Sequence, residues 1–168
     1  ILHDVVVDLH PDAHLDAPLG DIDAQALHDL GMGGSDSEKR AQAAKIRAEA
    51  TRAEAAAQGF KAIVCNRPDG ESADQIAYGE IEAAAKAKGL EIVWQPVISG
   101  QMSDDEGVRF GEIVDGLPGP VLAYCRSGTR CIMLWALSQA GKQPTADIIR
   151  QAAAAGYDLS ALAPRLEH

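Results

Sequence analysis

The stretch VLAYCRSGTRCIMLWAL, residues 121–137, decides the fold, because it joins a short apolar strand, a compact polar loop and an apolar helix. A short apolar run bounded by turn-forming or polar residues is typical of a buried strand. Within the loop, Gly128 permits a backbone conformation that other residues rarely adopt, so consecutive amide N–H groups can point at one centre. The helix dipole and Arg130 favour negative charge at that centre. The stretch therefore predicts an anion site between a strand and a helix.

Strands and helices alternate on both sides of this stretch. Predicted strands cover residues 61–65, 91–97 and 121–124, and predicted helices cover residues 73–88, 103–117, 132–137 and 144–155. This alternation indicates right-handed βαβ units and an α/β fold with a mainly parallel sheet covered by helices on both faces. Because ligands of such sheets bind outside the carboxyl ends of the strands, we expect the loops after Cys65 and Tyr124 to share one edge.

The helix predicted over residues 103–117 begins with a recognisable cap. Ser103 and Glu106 have the spacing of a capping box. We predict its inward face from its apolar residues. These are Val108, Ile113, Val114 and Leu117.

Composition limits the classes of function. A chain of 168 residues, of which 46% are hydrophobic, suits one domain with an appendage, and no apolar run approaches the roughly 20 residues of a membrane span. A net charge of −10 argues against binding to nucleic acid or to an anionic membrane surface. We therefore expect a cytoplasmic protein with neither as a partner.

The three cysteines are Cys65, Cys125 and Cys131. An odd number without CxxC spacing fits neither a disulfide framework nor a zinc site, and indicates a reducing compartment. We predict no metal and no cofactor. His10 and His14 lie among aspartates and could bind a divalent metal, but Pro11 disturbs the helix that would align them, so a metallohydrolase is the weakest hypothesis.

The chain divides near residue 58. Residues 1–57 are assigned to an N-terminal extension with a short strand at Val5–Val7, an Asp/His-rich loop and an alanine-rich helix that begins near residue 37. Residues 58–165 are assigned to the catalytic domain. Residues 166–168 resemble the remnant of an expression tag and are placed outside the fold.

Cys125 is the predicted nucleophile. A cysteine at a helix N-terminus beside a cation has its pKa lowered from about 8.5 into the range of roughly 3.5 to 7.5, and is then a thiolate at neutral pH. The alternative is a small core residue, but the next five residues contain two arginines, two hydroxyl groups and a glycine, which a core does not favour. Cys125 and Arg130 are therefore assigned to catalysis.

The other candidate residues surround this pair. Substrate-binding groups are predicted in the loop itself and after the first strand: Arg126, Ser127, Gly128, Thr129, Asn66 and Arg67. The alternative for Asn66 and Arg67 is a simple turn. Cys131 is a possible resolving cysteine for an oxidised Cys125, unless the first helical turn points it into the core.

Three runs carry a resemblance to a known family: GFKAIVCNRPDGE at 59–71, PVLAYCRSGTR at 120–130 and LWALSQAG at 134–141. Together with the strand ending in Pro96-Val97, they resemble the phosphatase-like domain of β-lactamase-hydrolase-like proteins over about residues 58–163. The resemblance implies a fold similar to dual-specificity phosphatases, with Cys125 as nucleophile. That family is often attached to persulfide-handling or sulfide-oxidising enzymes, so the resemblance also implies such an enzyme as a partner.

Loop length separates two chemistries. Protein tyrosine phosphatases resemble one another in having five residues between cysteine and arginine, whereas four separate Cys125 from Arg130. The shorter loop is similar to the rhodanese active-site loop, which encloses a single sulfur atom. A phosphatase also needs an acid for its leaving group, and the available Asp104 and Asp105 fall in the first turn of a helix, where they serve the dipole.

We therefore expect a sulfurtransferase that moves sulfur from thiosulfate or a persulfide through a Cys125 persulfide to a thiol acceptor. The alternatives are a cysteine-based phosphatase acting on a phosphate ester and an anion-binding module without turnover.

Overall fold

The fold is described from a computed structural model, which covers the backbone of residues 5–7 together with residues 59–73 and 75–167. The alanine-rich helix predicted from residue 37 and the His10/His14 pair lie outside the described residues.

Four parallel strands form one sheet in the order β1-β4-β2-β3. The strands are β1 (Val5–Val7), β2 (Ala62–Cys65), β3 (Glu91–Trp94) and β4 (Val121–Tyr124). The predicted parallel sheet is thus confirmed. The short strand β1, assigned to the extension, instead pairs with β4 as an integral part of the sheet. The strand predicted to reach residue 97 ends at Trp94, and Pro96 has no N–H to continue the ladder.

Five α-helices flank the sheet in the described part of the chain. They are α1 (Tyr78–Ala87), α2 (Asp104–Gly116), α3 (Thr129–Gln139), α4 (Thr145–Ala154) and α5 (Ala163–Leu166), the last preceded by a 3₁₀ turn at Ser160–Leu162. Strand β3 lies on one side of β2 and β4 on the other, so two right-handed crossovers place α1 and α2 on opposite faces. The sheet is therefore covered on both faces, as predicted.

Side chains alternate between the two faces along each strand. Ile63 and Leu122 pack with Ala85 of α1, whereas Val64 and Ala123 pack with α2, α3 and α4 on the larger core. The connections from β2 and β4 leave toward opposite faces of the sheet, so the topological switch point, where ligands bind in open α/β sheets, lies between these two strands. Both loops singled out by the sequence leave the sheet there.

Helix α1 begins later than the predicted residue 73. Residues 71–73 and 75–77 instead lie outside the helix and are held by side chains: the Glu71 amide donates to Gln75 Oε1 at 3.1 Å, and Gln75 Nε2 donates to the Pro68 carbonyl at 2.7 Å. The amide of Tyr78, the first helical residue, donates to Asp69 Oδ1 at 2.8 Å. These contacts satisfy the backbone outside a helix and leave Glu71 available to the site.

The predicted capping box at the start of α2 is confirmed. The Ser103 hydroxyl accepts from the Glu106 amide, and the Glu106 carboxylate accepts from the Ser103 amide. The buried face of α2, however, is formed by Gly107, Phe110 and Gly111, and the prediction that Val108 points inward is wrong, since Val108 is 55% exposed. A Cβ on Gly107 would overlap the Cβ of Leu137 on α3. The missing side chain therefore lets α2 lie directly against α3.

The end of the chain belongs to the fold. Leu166, predicted to lie outside it, is 2% exposed and packs in the larger core. Its carbonyl also accepts a hydrogen bond from the Thr145 hydroxyl at 3.1 Å. None of the helices that the structure describes is both long and apolar enough to cross a bilayer.

Candidate active site

The loop from Cys125 to Arg130 joins β4 to α3 at the carboxyl edge of the sheet. Gly128 has φ of 77°, in the left-handed region, and is the N-cap of α3, which starts at Thr129. This conformation is the one that glycine adopts without steric cost. Cys125 is 8% exposed and lies at the point where strand, loop and helix meet. The predicted strand–loop–helix arrangement is thus present.

The Cys125 thiol is acidic. Its pKa is lowered to about 5, first by a hydrogen bond from the Cys131 side chain, and further by the backbone N–H groups of Ser127, Cys131 and Arg130, against burial, which raises it. A pKa near 5 makes the sulfur a thiolate at neutral pH. The Cys65 thiol behaves oppositely, because burial raises its pKa, and this outweighs the hydrogen bonds with Tyr124 and the Arg67 backbone that lower it.

Cys131 and Asn66 form a second layer beneath the thiolate. Cys131 is fully buried, and its pKa is raised well above the usual value by burial and by Cys125, so it remains a thiol. Its Sγ lies 3.4 Å from Asn66 Oδ1, and Asn66 Nδ2 donates to the Gln95 carbonyl at 3.0 Å. The single S–H proton therefore faces two acceptors, and the thiolate, being charged, is the stronger one. Neither side chain is open to a substrate.

Arg130 is clamped by Glu71. Its two terminal nitrogens donate to Glu71 Oε1 at 2.6 Å and Oε2 at 2.9 Å, and Nη1 also donates to the Val97 carbonyl at 2.9 Å. Although burial lowers the pKa of Arg130 most, Glu71 and Cys125 raise it on balance. A guanidinium held on one edge by a carboxylate is fixed in place and keeps further N–H donors for an anion.

Arg67 lies on the other side of the same carboxylate. Its Nε donates to Glu71 Oε2 at 3.0 Å and its Nη2 to the Ser72 hydroxyl at 2.9 Å. Hydrogen bonds from Arg130 and Arg67 lower the pKa of Glu71, with the Arg130 bond the largest cause. Glu71 is therefore ionised at neutral pH and is a poor proton donor.

A cavity of about 350 Å³ opens above the loop. Four of the five residues that follow Cys125 line it, and other elements complete the wall. The lining residues are Glu71, Ser99, Gly100, Met102, Arg126, Ser127, Thr129, Arg130, Met133 and Arg165.

The structure places the predicted site residues in two groups. Arg126, Ser127, Thr129 and Arg130 line the cavity, and Gly128 shapes the loop, whereas Asn66 is buried and Arg67 is ion-paired beside the site. The sequence reasoning missed several residues of the wall: Glu71, Ser99, Gly100, Met102, Met133 and Arg165. Glu71 had one usable signal, since it follows the turn at the carboxyl end of β2.

Asp104 and Asp105 are not part of the cavity lining. Asp104 Oδ1 accepts hydrogen bonds from Arg165 at 2.6 and 2.8 Å. Within the described residues, no group of three or more histidine, cysteine or carboxylate side chains is arranged to hold a metal ion.

Comparison with known proteins identifies similar sequences. Residues 37–142 match the model of a family described as the phosphatase-like domain of beta-lactamase hydrolase-like proteins, and so the match begins before the predicted boundary at residue 58. A beta-lactamase hydrolase-like protein of Xylella fastidiosa strain 9a5c is 33% identical over 114 residues, which are 67% of this chain and 26% of that protein. The protein of the same description in Agrobacterium fabrum strain C58 is 34% identical over 113 residues, 66% of this chain and 26% of that protein. The chain thus spans about a quarter of the length of these relatives.

Two solved structures share the fold. A "putative phosphatase" of Neisseria meningitidis Z2491 superimposes with a TM-score of 0.64 and 36% identity, covering 71% of this chain and 85% of that one. A second protein of that description, from Shewanella putrefaciens CN-32, has a TM-score of 0.50 at 19% identity, covering 70% of this chain and 73% of that one, and supports the fold alone.

Proposed function

This chain belongs to the phosphatase-like domain family of beta-lactamase hydrolase-like proteins, and we propose that it is a cysteine-dependent hydrolase of phosphate monoesters. The observation that carries the proposal is the Cys125 thiolate, with its pKa of about 5, beneath a loop whose Arg130 is fixed by Glu71 at a cavity wall. The sequence alone favoured sulfur transfer, whereas the family and the solved structure from Neisseria meningitidis support a phosphatase.

The proposed reaction has two steps. The Cys125 sulfur attacks the phosphorus, and the ester P–O bond breaks with its electron pair on the leaving oxygen. Arg130 and the loop amides bind the equatorial phosphoryl oxygens as charge develops there. Water then cleaves the S–P bond of the phosphocysteine, which releases inorganic phosphate and restores the thiolate.

The described residues of the cavity wall include no good proton donor for the leaving group. Among the described residues that line the cavity, Glu71 is the one carboxylate, and its pKa is lowered by its ion pairs with Arg130 and Arg67. General acid catalysis typically raises the reaction rate 10²–10⁴-fold. Without it, the enzyme favours esters whose leaving group is a stable anion. We infer a preference for aryl phosphates over alkyl phosphates.

Sulfur transfer is the second candidate, and the same observation favours it. The Cys125 sulfur would attack the outer sulfur of thiosulfate, the S–S bond would break and sulfite would leave with the electron pair, so no acid is needed. The four-residue spacing between Cys125 and Arg130 also suits a single sulfur atom. A thiol acceptor, alone or on a persulfide-handling enzyme, would then attack the Cys125 persulfide and carry the outer sulfur away.

One experiment separates the candidates on a single preparation. The protein is incubated with 4-nitrophenyl phosphate, or with thiosulfate and cyanide, and each product is measured, with Cys125→Ser as the inactive variant and Cys65→Ser as the matched control. Hydrolysis that disappears in Cys125→Ser supports the phosphatase. Thiocyanate formation without hydrolysis, together with about 32 Da added to Cys125, supports sulfur transfer instead. The absence of both activities indicates an anion-binding module.

A further inference from the structure

We propose that the natural substrate is a small organic ester with a second anionic group, which Arg126 and Arg165 bind at the cavity wall while the Cys125 loop holds the reacting group. This inference rests on the proposed function for the identity of the reacting group. It concerns the rest of the substrate.

The charge of the cavity wall is the first observation. Among the described residues that line it, there are three arginines, Arg126, Arg130 and Arg165, and one carboxylate, that of Glu71. The chain as a whole has a net charge of −10, so a wall rich in arginine runs against the general charge of the protein. A concave wall of one sign raises the local concentration of ligands of the opposite sign.

Arg126 supplies an unused cation. It is exposed, it lines the cavity, and it makes no ion pair or side-chain hydrogen bond with any residue that the structure describes. Arg130, by contrast, is engaged with Glu71. The loop therefore carries one guanidinium committed to the reacting group and a second one available to another part of the ligand.

Arg165 supplies a cation that is held in position. Its Nη2 donates to Asp104 Oδ1 at 2.6 Å and to the Met102 carbonyl at 3.0 Å, and its Nε donates to Asp104 Oδ1 at 2.8 Å. These bonds fix the guanidinium from one side and use Nε and Nη2, so Nη1 makes no bond with the described residues. Arg165 comes from α5, so it approaches the cavity from a different element than Arg126.

The size and the apolar part of the wall complete the argument. A cavity of about 350 Å³ lies in the range of pockets for small organic ligands, and is larger than one inorganic anion needs. Met102 and Met133 are half-buried in its wall and offer adaptable apolar contact. A ligand with an apolar body and two separate anionic groups satisfies all of these features, whereas inorganic phosphate or thiosulfate would leave Arg126 and the methionines unused.

The test measures binding of phosphonates, which stand in for the phosphoryl group, and it requires no hydrolysis. Two non-hydrolysable ligands, 4-carboxyphenylphosphonate and its 4-carbamoyl analogue, whose second group is neutral, compete with iodoacetamide for Cys125 in the full chain at low salt. We expect the carboxylate ligand to protect Cys125 at about fivefold lower concentration, since one exposed ion pair contributes up to about 1 kcal/mol. The preference should disappear in Arg126→Gln and Arg165→Gln combined, and persist in the control Arg150→Gln, an exposed arginine outside the cavity paired with Asp147.

A further variant separates charge from structure. Asp104→Asn removes the negative charge beside Arg165 but keeps a side-chain oxygen that can accept from its guanidinium, so the preference for the carboxylate ligand should stay or grow. Equal protection by the two ligands, protection by neither at millimolar concentration, or a preference that survives in the double arginine variant would each overturn the inference. If the parent protein shows the binding preference but hydrolyses no phosphate ester, only the proposed function is refuted.

Discussion

Replacing Cys131 with alanine should raise the pKa of the Cys125 thiol from about 5 to between about 6 and 7. Cys131 is the largest single cause of the low pKa, and a hydrogen bond to a charged group contributes about 1.5–3 kcal/mol. A pKa difference of one corresponds to about 1.4 kcal/mol, which gives this range. Folded Cys131→Ala protein is expected, since the change removes one buried sulfur atom.

The assay is the rate of iodoacetamide alkylation of Cys125 from pH 4 to pH 9, followed by peptide mapping. The midpoint of the profile is the quantity to compare, because a more basic thiolate is a stronger nucleophile and the plateau at high pH should rise about threefold to eightfold. A comparison at a single pH would mix these two effects. Cys131→Ser, which keeps a donor, should hold the midpoint near that of the parent, and so should Cys65→Ala.

A midpoint that stays near pH 5 in folded Cys131→Ala protein would refute the reasoning. The S–H proton would then belong to Asn66, and the loop amides alone would account for the acidity of Cys125.

Three further predictions concern the same site. Arg130→Lys should lower kcat for an aryl phosphate by about 10²–10³-fold in steady-state assays, because lysine keeps the charge but loses the paired donors. Glu71→Gln should also lower kcat, whereas the control Glu82→Gln, which removes an exposed ion pair with Lys86, should leave kcat unchanged. The free energy of unfolding of the parent should exceed that of Cys125→Ser by an amount that grows by about 1 kcal/mol per pH unit from pH 5 to pH 8, because the folded pKa lies near 5 and the unfolded thiol stays protonated there; urea titrations that give a constant difference would contradict the lowered pKa. Across a series of phenyl phosphates, kcat/KM should fall steeply as the leaving phenol becomes less acidic, and a flat series would show that an acid assists the leaving group.

The parallel sheet and the Cys125 loop could be predicted because their signals are local. Short apolar runs mark β2 and β4, and the polar loop with Gly128 follows directly in the chain. Strand β1 is also short and apolar, but its pairing with β4 spans more than 100 residues, so its register could not be predicted from local sequence.

The missing parts of the site depend on contacts between distant residues. Glu71 meets Arg130 across 59 residues, and Arg165 meets Asp104 across 61, which no local pattern reveals. The predicted inward face of α2 is confirmed for Ile113, Val114 and Leu117, which pack against the larger core, and is wrong at Val108 for a different reason. Periodicity counts apolar side chains, and it therefore selected Val108 where the helix in fact buries Gly107.

The close contact of α2 with α3 at Gly107 sets the width of the cavity, although Gly107 does not line it. Helix α3 carries Arg130 and Met133 of the cavity wall, and α2 begins directly after the loop that carries Met102, so the two helices position separate parts of the wall. Gly111 extends the contact by one helical turn, where an added Cβ would lie 3.0 Å from the Cβ of Ser138. Any side chain at Gly107 would push the helix axes apart, and a displacement of about 1 Å at reacting groups can cost 10²-fold in rate. The width of the cavity thus depends on Gly107 and Gly111, which do not line it.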